Sequence, residues 1–153
     1  MYKMRATPEV LTFILTNVKY HEEFCKVYQS FAKLDVPPML RIPSMEDGSW
    51  GDEQEEALFE FVLGVSKCVV NAVEENFKNT KDWHGPPFPD IVEIDVTDAA
   101  FEALGIVFSD IVAMTAELED NEESPLPEKF ARIFHEDYLP QVKEASQAFE
   151  KVE

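Results

Sequence analysis

From Ala57 to Val73 twelve of seventeen residues are apolar, and the polar Glu60, Gly64, Lys67 and Asn71 recur at spacings of four, three and four, continuing to Glu74 and Lys78. An α-helix turns once every 3.6 residues, so this spacing confines water contact to one narrow stripe. A helix with so much apolar surface needs neighbours on most sides, which predicts that it lies near the centre of a helical domain. Asp52 with Glu55 three residues on fits a capping box and predicts a helix over 53–78.

Three further stretches share that periodicity. Thr7, Pro8 and Glu9 read as an N-cap, a first-turn proline and a first-turn acid, and one apolar face then runs unbroken to Leu34, before Asp35 and the pair Pro37 and Pro38 end the helix. Thr97 and Asp98 open a third helix to about Leu118, with Leu104, Val107, Ile111 and Met114 on its inner face. After Ser124 and Pro125, Phe130, Ile133, Phe134, Tyr138, Ala145, Phe149 and Val152 keep one register across Pro140, which predicts a single last helix kinked at that proline. The expected core joins Phe61, Val62, Val65, Val69, Leu104, Val107, Ile111, Phe130 and Phe134.

Helices of about 21 to 27 residues are roughly 30 to 40 Å long, which suits a bundle. The expected fold is therefore all-α, a four-helix bundle forming a single helical domain over residues 1–153. Its two connections, 35–52 and 79–97, are long for a bundle and hold six of the ten prolines. Within the second, Val92, Ile94 and Val96 alternate with Glu93 and Asp95, which leaves room for a minor two-stranded β element pairing with Met39–Ile42.

The charge is the largest departure from an ordinary globular chain. Asp and Glu number 31 against 13 Lys and Arg, a net charge of −18. Duplex nucleic acid is thereby excluded as a direct partner, because binding it requires neutralising phosphates. The distribution is uneven: residues 1–34 carry five basic and three acidic side chains, whereas 82–128 carry thirteen acids and no Lys or Arg. No stretch reads as a secretory leader or as the roughly 18 apolar residues of a membrane span. Cys25 and Cys68 fall inside apolar helical patterns and read as buried free thiols, so a cytoplasmic location without membrane contact is expected.

Catalytic patterns are sparse. His21 lies on the inner face of the first helix with Asn17 and Cys25 one turn to either side, and is read as a buried histidine bonded to Asn17 or to a backbone carbonyl, although a His and a Cys at i, i+4 can also share a metal or pair as a thiolate. His84 and His135 have no ligand spacing to each other or to either Cys. The Glu-x-x-His element of di-iron bundles is absent, since Val18, Lys81 and Arg132 stand three residues before the histidines. Five glycines supply no phosphate cradle, and no nucleophile elbow is present. No metal or cofactor is expected.

One partial resemblance bears on this. The stretch from Glu102 to Met114 resembles the last metal-binding helix of MazG-type nucleotide pyrophosphohydrolases, with Glu53 and Glu56 as counterparts of that family's first Glu-x-x-Glu. Ile106 stands where the family has its ligand Asp, and no second acidic pair follows near Lys78. The resemblance implies, as an alternative, a magnesium-dependent all-α enzyme acting on nucleotides.

The function read first from the sequence is that of a non-enzymatic interaction protein. Its acidic region is expected to bind a basic protein surface, including one that binds nucleic acid, as an inhibitor, an immunity-type partner or a mimic of nucleic-acid charge. The residues expected to meet the partner are Glu117, Glu119, Asp120, Glu122 and Glu123, which end the third helix and begin the loop after it, with Trp50 and Trp83 in the two long loops. A structural or assembly adaptor, in which the charge serves solubility alone, is the remaining alternative.

Overall fold

The computed structural model describes residues 1–38, 40–79, 90–119 and 127–152, with backbone alone at 76–79, 118, 119, 127, 130 and 131. In chain order the elements are β1 (Tyr2–Ala6), α1 (Pro8–Lys33), α2 (Pro43–Asp47), α3 (Asp52–Asn79), β2 (Val92–Val96), α4 (Asp98–Glu119), α5 (Pro127–Ile133), a π-helical stretch (Phe134–Tyr138), α6 (Leu139–Ser146) and β3 (Phe149–Lys151). The chain is mostly helical, with a small three-stranded antiparallel sheet in the order β2-β1-β3.

α1 and α4 begin as the sequence predicts. The Thr7 hydroxyl accepts from the Val10 N–H at 3.3 Å, and the Thr97 hydroxyl accepts from the Ala100 N–H at 3.1 Å. The start of α3 is capped one residue earlier than expected. Gly51 is its N-cap: its carbonyl accepts from Glu55, while Gln54 reaches back to the Gly51 N–H at 2.9 Å.

The sheet corrects the expected two-stranded element. Val92–Val96 is a strand, but its partner is Tyr2–Ala6, which pairs with β3 on its other edge. Leu40 and Ile42 stay outside the sheet, and Met39 lies outside the described residues. The physical reason is complementary patterning. Met4 and Ala6 are buried with Val92 and Val96, while Lys3 and Arg5 lie opposite Asp95 and Glu93, with Lys3 Nζ 2.8 Å from the Glu93 carboxylate. Ile42, in contrast, is buried immediately before Pro43 starts α2.

α4, not α3, is the central helix. Ala103, Leu104, Val107, Ile111 and Met114 are buried, and α4 packs against α1, α2, α3 and α5. Contrary to the expectation that no segment has the character of a membrane span, Asp98–Glu117 is long and apolar enough to cross one by length and composition, with a mean hydropathy of 1.6. Its most deeply buried side chains are occupied by contacts within the protein.

α3 buries one side only. Ala57, Leu58, Phe61 and Val65 enter the core, but Phe59, Val62, Leu63 and Val70 are exposed, which removes Val62 from the expected core. The expected neighbours on most sides of α3 are therefore only partly supplied by the chain's described residues.

The last helix also differs from expectation. A π-helical turn precedes Pro140, with the Leu139 N–H bonded to the Phe134 carbonyl five residues back. Widening the helix there accommodates a proline that has no N–H to donate and whose ring would crowd the preceding turn. The helix ends at Ser146, and Phe149 lies in β3 because the Tyr2–Met4 edge offers it backbone partners; Val152 likewise donates its N–H to the Met1 carbonyl at 3.0 Å. Ile133, expected inside, is exposed, and the side chain of Phe130 lies outside the described residues.

Candidate functional site

α1 presents Asn17, His21 and Cys25 inward, one helical turn apart, with Val18 next to Asn17 on the same face. On α4, Asp110 occupies the same inner register as Val107 and Met114, and it is the one acid buried among the described residues. The His21 Nε2–H donates to Asp110 Oδ2 at 2.6 Å, with His21 fully buried and Asp110 2 % exposed. The other Asp110 oxygen, Oδ1, accepts the Ser44 backbone N–H at 3.1 Å, and the Ser44 hydroxyl also donates to Oδ2. Three donor groups therefore hold this carboxylate, as a buried acid requires.

α2 and the turn after it supply the third side of this cluster. Gly48 ends α2 at φ 79°, and the Trp50 N–H then returns to the Ser44 carbonyl at 3.1 Å. That return seats the Trp50 indole edge-on against His21, with ring centroids 4.5 Å apart. The Trp50 Nε1–H is buried and finds no acceptor among the described residues.

Cys25 meets the imidazole in a way that disfavours a catalytic dyad. Its Sγ lies 3.6 Å from His21 Nδ1 and 3.9 Å from Nε2. Near-equal distances put the sulfur close to the plane that bisects the two nitrogens. Approach from the ring edge there would overlap Cε1, so the sulfur rests on the ring face and off the Nδ1 lone pair. Burial, reinforced by the charges of Asp110, Glu55 and Glu22, pushes the Cys25 thiol up to about 12. It is a protonated packing group at neutral pH, whereas an activated nucleophile has a lowered pKa and an in-line base. Both cysteines are free, as the sequence predicts, but only Cys25 is buried; Cys68, expected inside, is partly exposed.

The expected partner of His21, Asn17 or a backbone carbonyl, is corrected to the Asp110 carboxylate. The Asn17 amide donates to the Phe13 carbonyl at 2.8 Å and accepts from the Tyr138 hydroxyl at 2.7 Å, tying α1 to the C-terminal segment. Burial raises the Tyr138 phenol above its usual range.

Beside the His21 cluster a cleft of about 390 Å³ opens between α1 and α3. Val18, Cys25, Trp50, Leu58, Phe59 and Val62 give it apolar walls, and Glu22 and Glu55 stand among its lining residues. Lys26 also lines it, held 3.0 Å from Glu22. Exposed acids continue along the first turns of α3: Asp52, Glu53, Glu55, Glu56 and Glu60 form no ion pair with a Lys or Arg among the described residues.

Of the residues expected to meet a partner, Trp50 lies in the cleft wall and Glu117 is exposed near the end of α4. Glu119 is the last residue of α4, and its side chain is outside the described residues, as are Asp120, Glu122, Glu123 and Trp83 altogether. The acids at the start of α3 and the buried Asp110 were not singled out from sequence. Asp110 carries a signal that could have found it, an acid three residues from Val107 and four from Met114 on an otherwise apolar face.

The Asp110 carboxylate is engaged by His21 and Ser44, and Glu53, Glu56 and Glu102 are exposed. Among the described residues no three His, Cys, Asp or Glu side chains form a group that could hold a metal ion. Comparison with protein-family models, with curated proteins and with solved structures finds no match for this chain.

Proposed function

We propose that this protein is a non-enzymatic interaction module that binds a basic protein surface in the cytoplasm, as an inhibitor, an immunity-type partner or a mimic of nucleic-acid charge. In this reading α1, α3, α4 and the C-terminal helical segment act as a four-helix bundle left open along the α1–α3 side. The observation that carries it is the run of exposed acids, Asp52, Glu53, Glu55, Glu56 and Glu60, without an ion pair to Lys or Arg among the described residues, beside an apolar cleft. Acids placed this way repel one another and do nothing for the helix core, although they favour the helix N-terminus. Facing a cationic partner, they steer its approach and suppress acidic competitors. In the sequence the acids Glu117, Glu119, Asp120, Glu122 and Glu123 carry the same charge.

The test uses two neutralised variants, one with Glu53, Glu55, Glu56 and Glu60 changed to Gln, the other with Glu119, Glu122 and Glu123 changed to Gln and Asp120 to Asn. Each is compared with the parent in capture from host lysate at 20 and 200 mM salt. Basic proteins retained by the parent at low salt and lost by either variant support the reading. Partners held equally by parent and variants at both salts overturn it, as does release of pyrophosphate from a nucleotide by the purified protein with magnesium.

A further inference from the structure

The exposed apolar side of α3 is continuous with the cleft. At 100° per residue Val62, Phe59, Leu63 and Val70 fall on one arc between the buried face of Leu58 and Val65 and the acidic stripe of Glu56 and Glu60. Phe59 is 63 % and Val70 53 % exposed. From Phe59 to Val70 the helix rises roughly 16 Å, longer than a small ligand and close to three turns of a helix. α1 and α4 leave this arc uncovered while they pack elsewhere. The sequence alone asks for neighbours on most sides of α3, and its described neighbours lie on one.

Charge selects among the possible occupants. A second copy of this chain would bring a net −18 against −18, with Glu55, Glu56 and Glu60 meeting their own kind. A cationic segment would meet Glu55 and Glu22 at the cleft, where Glu22 already holds the lining residue Lys26, and Glu56 and Glu60 beside it. We infer that the α1–α3 cleft is a groove for one amphipathic, cationic helix of a partner protein, whose apolar face packs on Phe59 and Val62 and whose Lys or Arg side chains reach the flanking acids. This rests on the basic-partner reading above and adds the place and the shape of the contact. A helix laid in a groove, with anchors at i, i+3, i+4 and i+7, is an established mode of recognition.

The experiment uses the full chain with Trp83→Phe, so that Trp50 in the cleft wall is the fluorescent reporter. The probes are a synthetic helix with Leu at i, i+3, i+4 and i+7 and Lys elsewhere, and a peptide of identical composition with the Leu residues spread round all faces. The amphipathic helix is expected to shift Trp50 emission and to bind at least about tenfold more tightly than the spread peptide. Phe59→Ser with Val62→Ser, at positions already exposed, should remove that preference while circular dichroism and melting temperature stay unchanged. Glu22→Gln with Glu55→Gln should weaken binding at 20 mM salt and leave it unchanged at 500 mM.

Equal binding of both peptides, or indifference to the Phe59 and Val62 changes, overturns the groove. If affinity then still falls when the acids are neutralised, the acidic-surface reading survives without it. Loss with Phe59→Ser and Val62→Ser but no response to salt or to the Glu variants overturns the cationic partner and leaves an apolar docking site. Dimerisation in sedimentation that the Ser changes abolish assigns the arc to a second copy and overturns the inference.

Discussion

The imidazole of His21 and the carboxylate of Asp110, 89 residues apart in the chain, meet at 2.6 Å with essentially no exposure to water. The pair fixes α1 to α4, and through Ser44 it also fixes α2 and the turn that carries Trp50. It therefore sets one end of the cleft, and its role follows from what each group loses without the other.

Removing one partner from a buried charged hydrogen bond leaves the other desolvated and unsatisfied, which costs roughly 3 to 5 kcal/mol. Asp110→Ala is expected to lose that much in urea unfolding. Asp110→Asn keeps one acceptor oxygen for His21 and the Ser44 hydroxyl but sets its amide N–H against the Ser44 backbone N–H, so it should lose less than Asp110→Ala without matching the parent. Replacing both residues, as His21→Leu with Asp110→Leu, should cost less than the sum of the single changes. An Asp110→Ala protein within 0.5 kcal/mol of the parent would show that the pair does not hold the helices together.

The Cys25 thiol ties stability to alkaline pH. Its ordinary value is 9.0 and burial raises it to about 12, so the unfolded chain loses this proton first. The stabilisation is complete below pH 9 and is lost as pH rises from about 9 to 12. Half-buried Tyr138, whose phenol is raised by desolvation, acts in the same direction from higher pH. Cys25→Ala is expected to flatten the fall in unfolding free energy between pH 8.5 and 10, and in the native parent alkylation followed by mass should reach Cys68 before Cys25. A slope unchanged in Cys25→Ala sinks this assignment.

The two sides of α3 should respond differently to the same truncation. Val65, 4 % exposed, is expected to cost roughly 1 to 3 kcal/mol as Val65→Ala through lost burial and a cavity. Val70→Ala, on the open arc, should stay within about 0.5 kcal/mol. Equal losses in chemical denaturation would mean that the arc is covered.

Gly48 tests how the cleft wall is held. Its φ of 79° is disfavoured for a residue with a Cβ, yet nothing lies within 4 Å of where that Cβ would stand. Gly48→Ala should therefore cost only the backbone term, about 1 kcal/mol. Because the turn carries Trp50, its fluorescence should shift in the native protein as well. A stability loss without any spectral change would separate Gly48 from the position of Trp50.

Local patterns in the sequence determined the long helices and the starts of two of them, because capping hydroxyls, first-turn prolines and apolar spacing act over a few residues: Thr7 caps α1 as read, Thr97 and Asp98 open α4, and Val92–Val96 is a strand, whereas α3 is capped by Gly51 and not by Asp52. They also determined that Cys25 and His21 face inward and that the chain is strongly acidic. Pairing over long separations was decided by the tertiary structure. Periodicity in Val92–Val96 states that a strand needs an edge and does not say whose; Tyr2–Ala6 supplies it because its cations oppose Glu93 and Asp95 while its apolar residues share the core. Helical spacing likewise marks Asp110 as inward without naming its donors, which come from His21 and Ser44 in other elements. The sequence correctly reports how much apolar surface α3 carries. Only the packing of α1, α3 and α4 decides that Phe59 and Val62 border the cleft and that Leu63 and Val70 are left exposed beyond it, because burial depends on what stands opposite a side chain and not on the side chain alone.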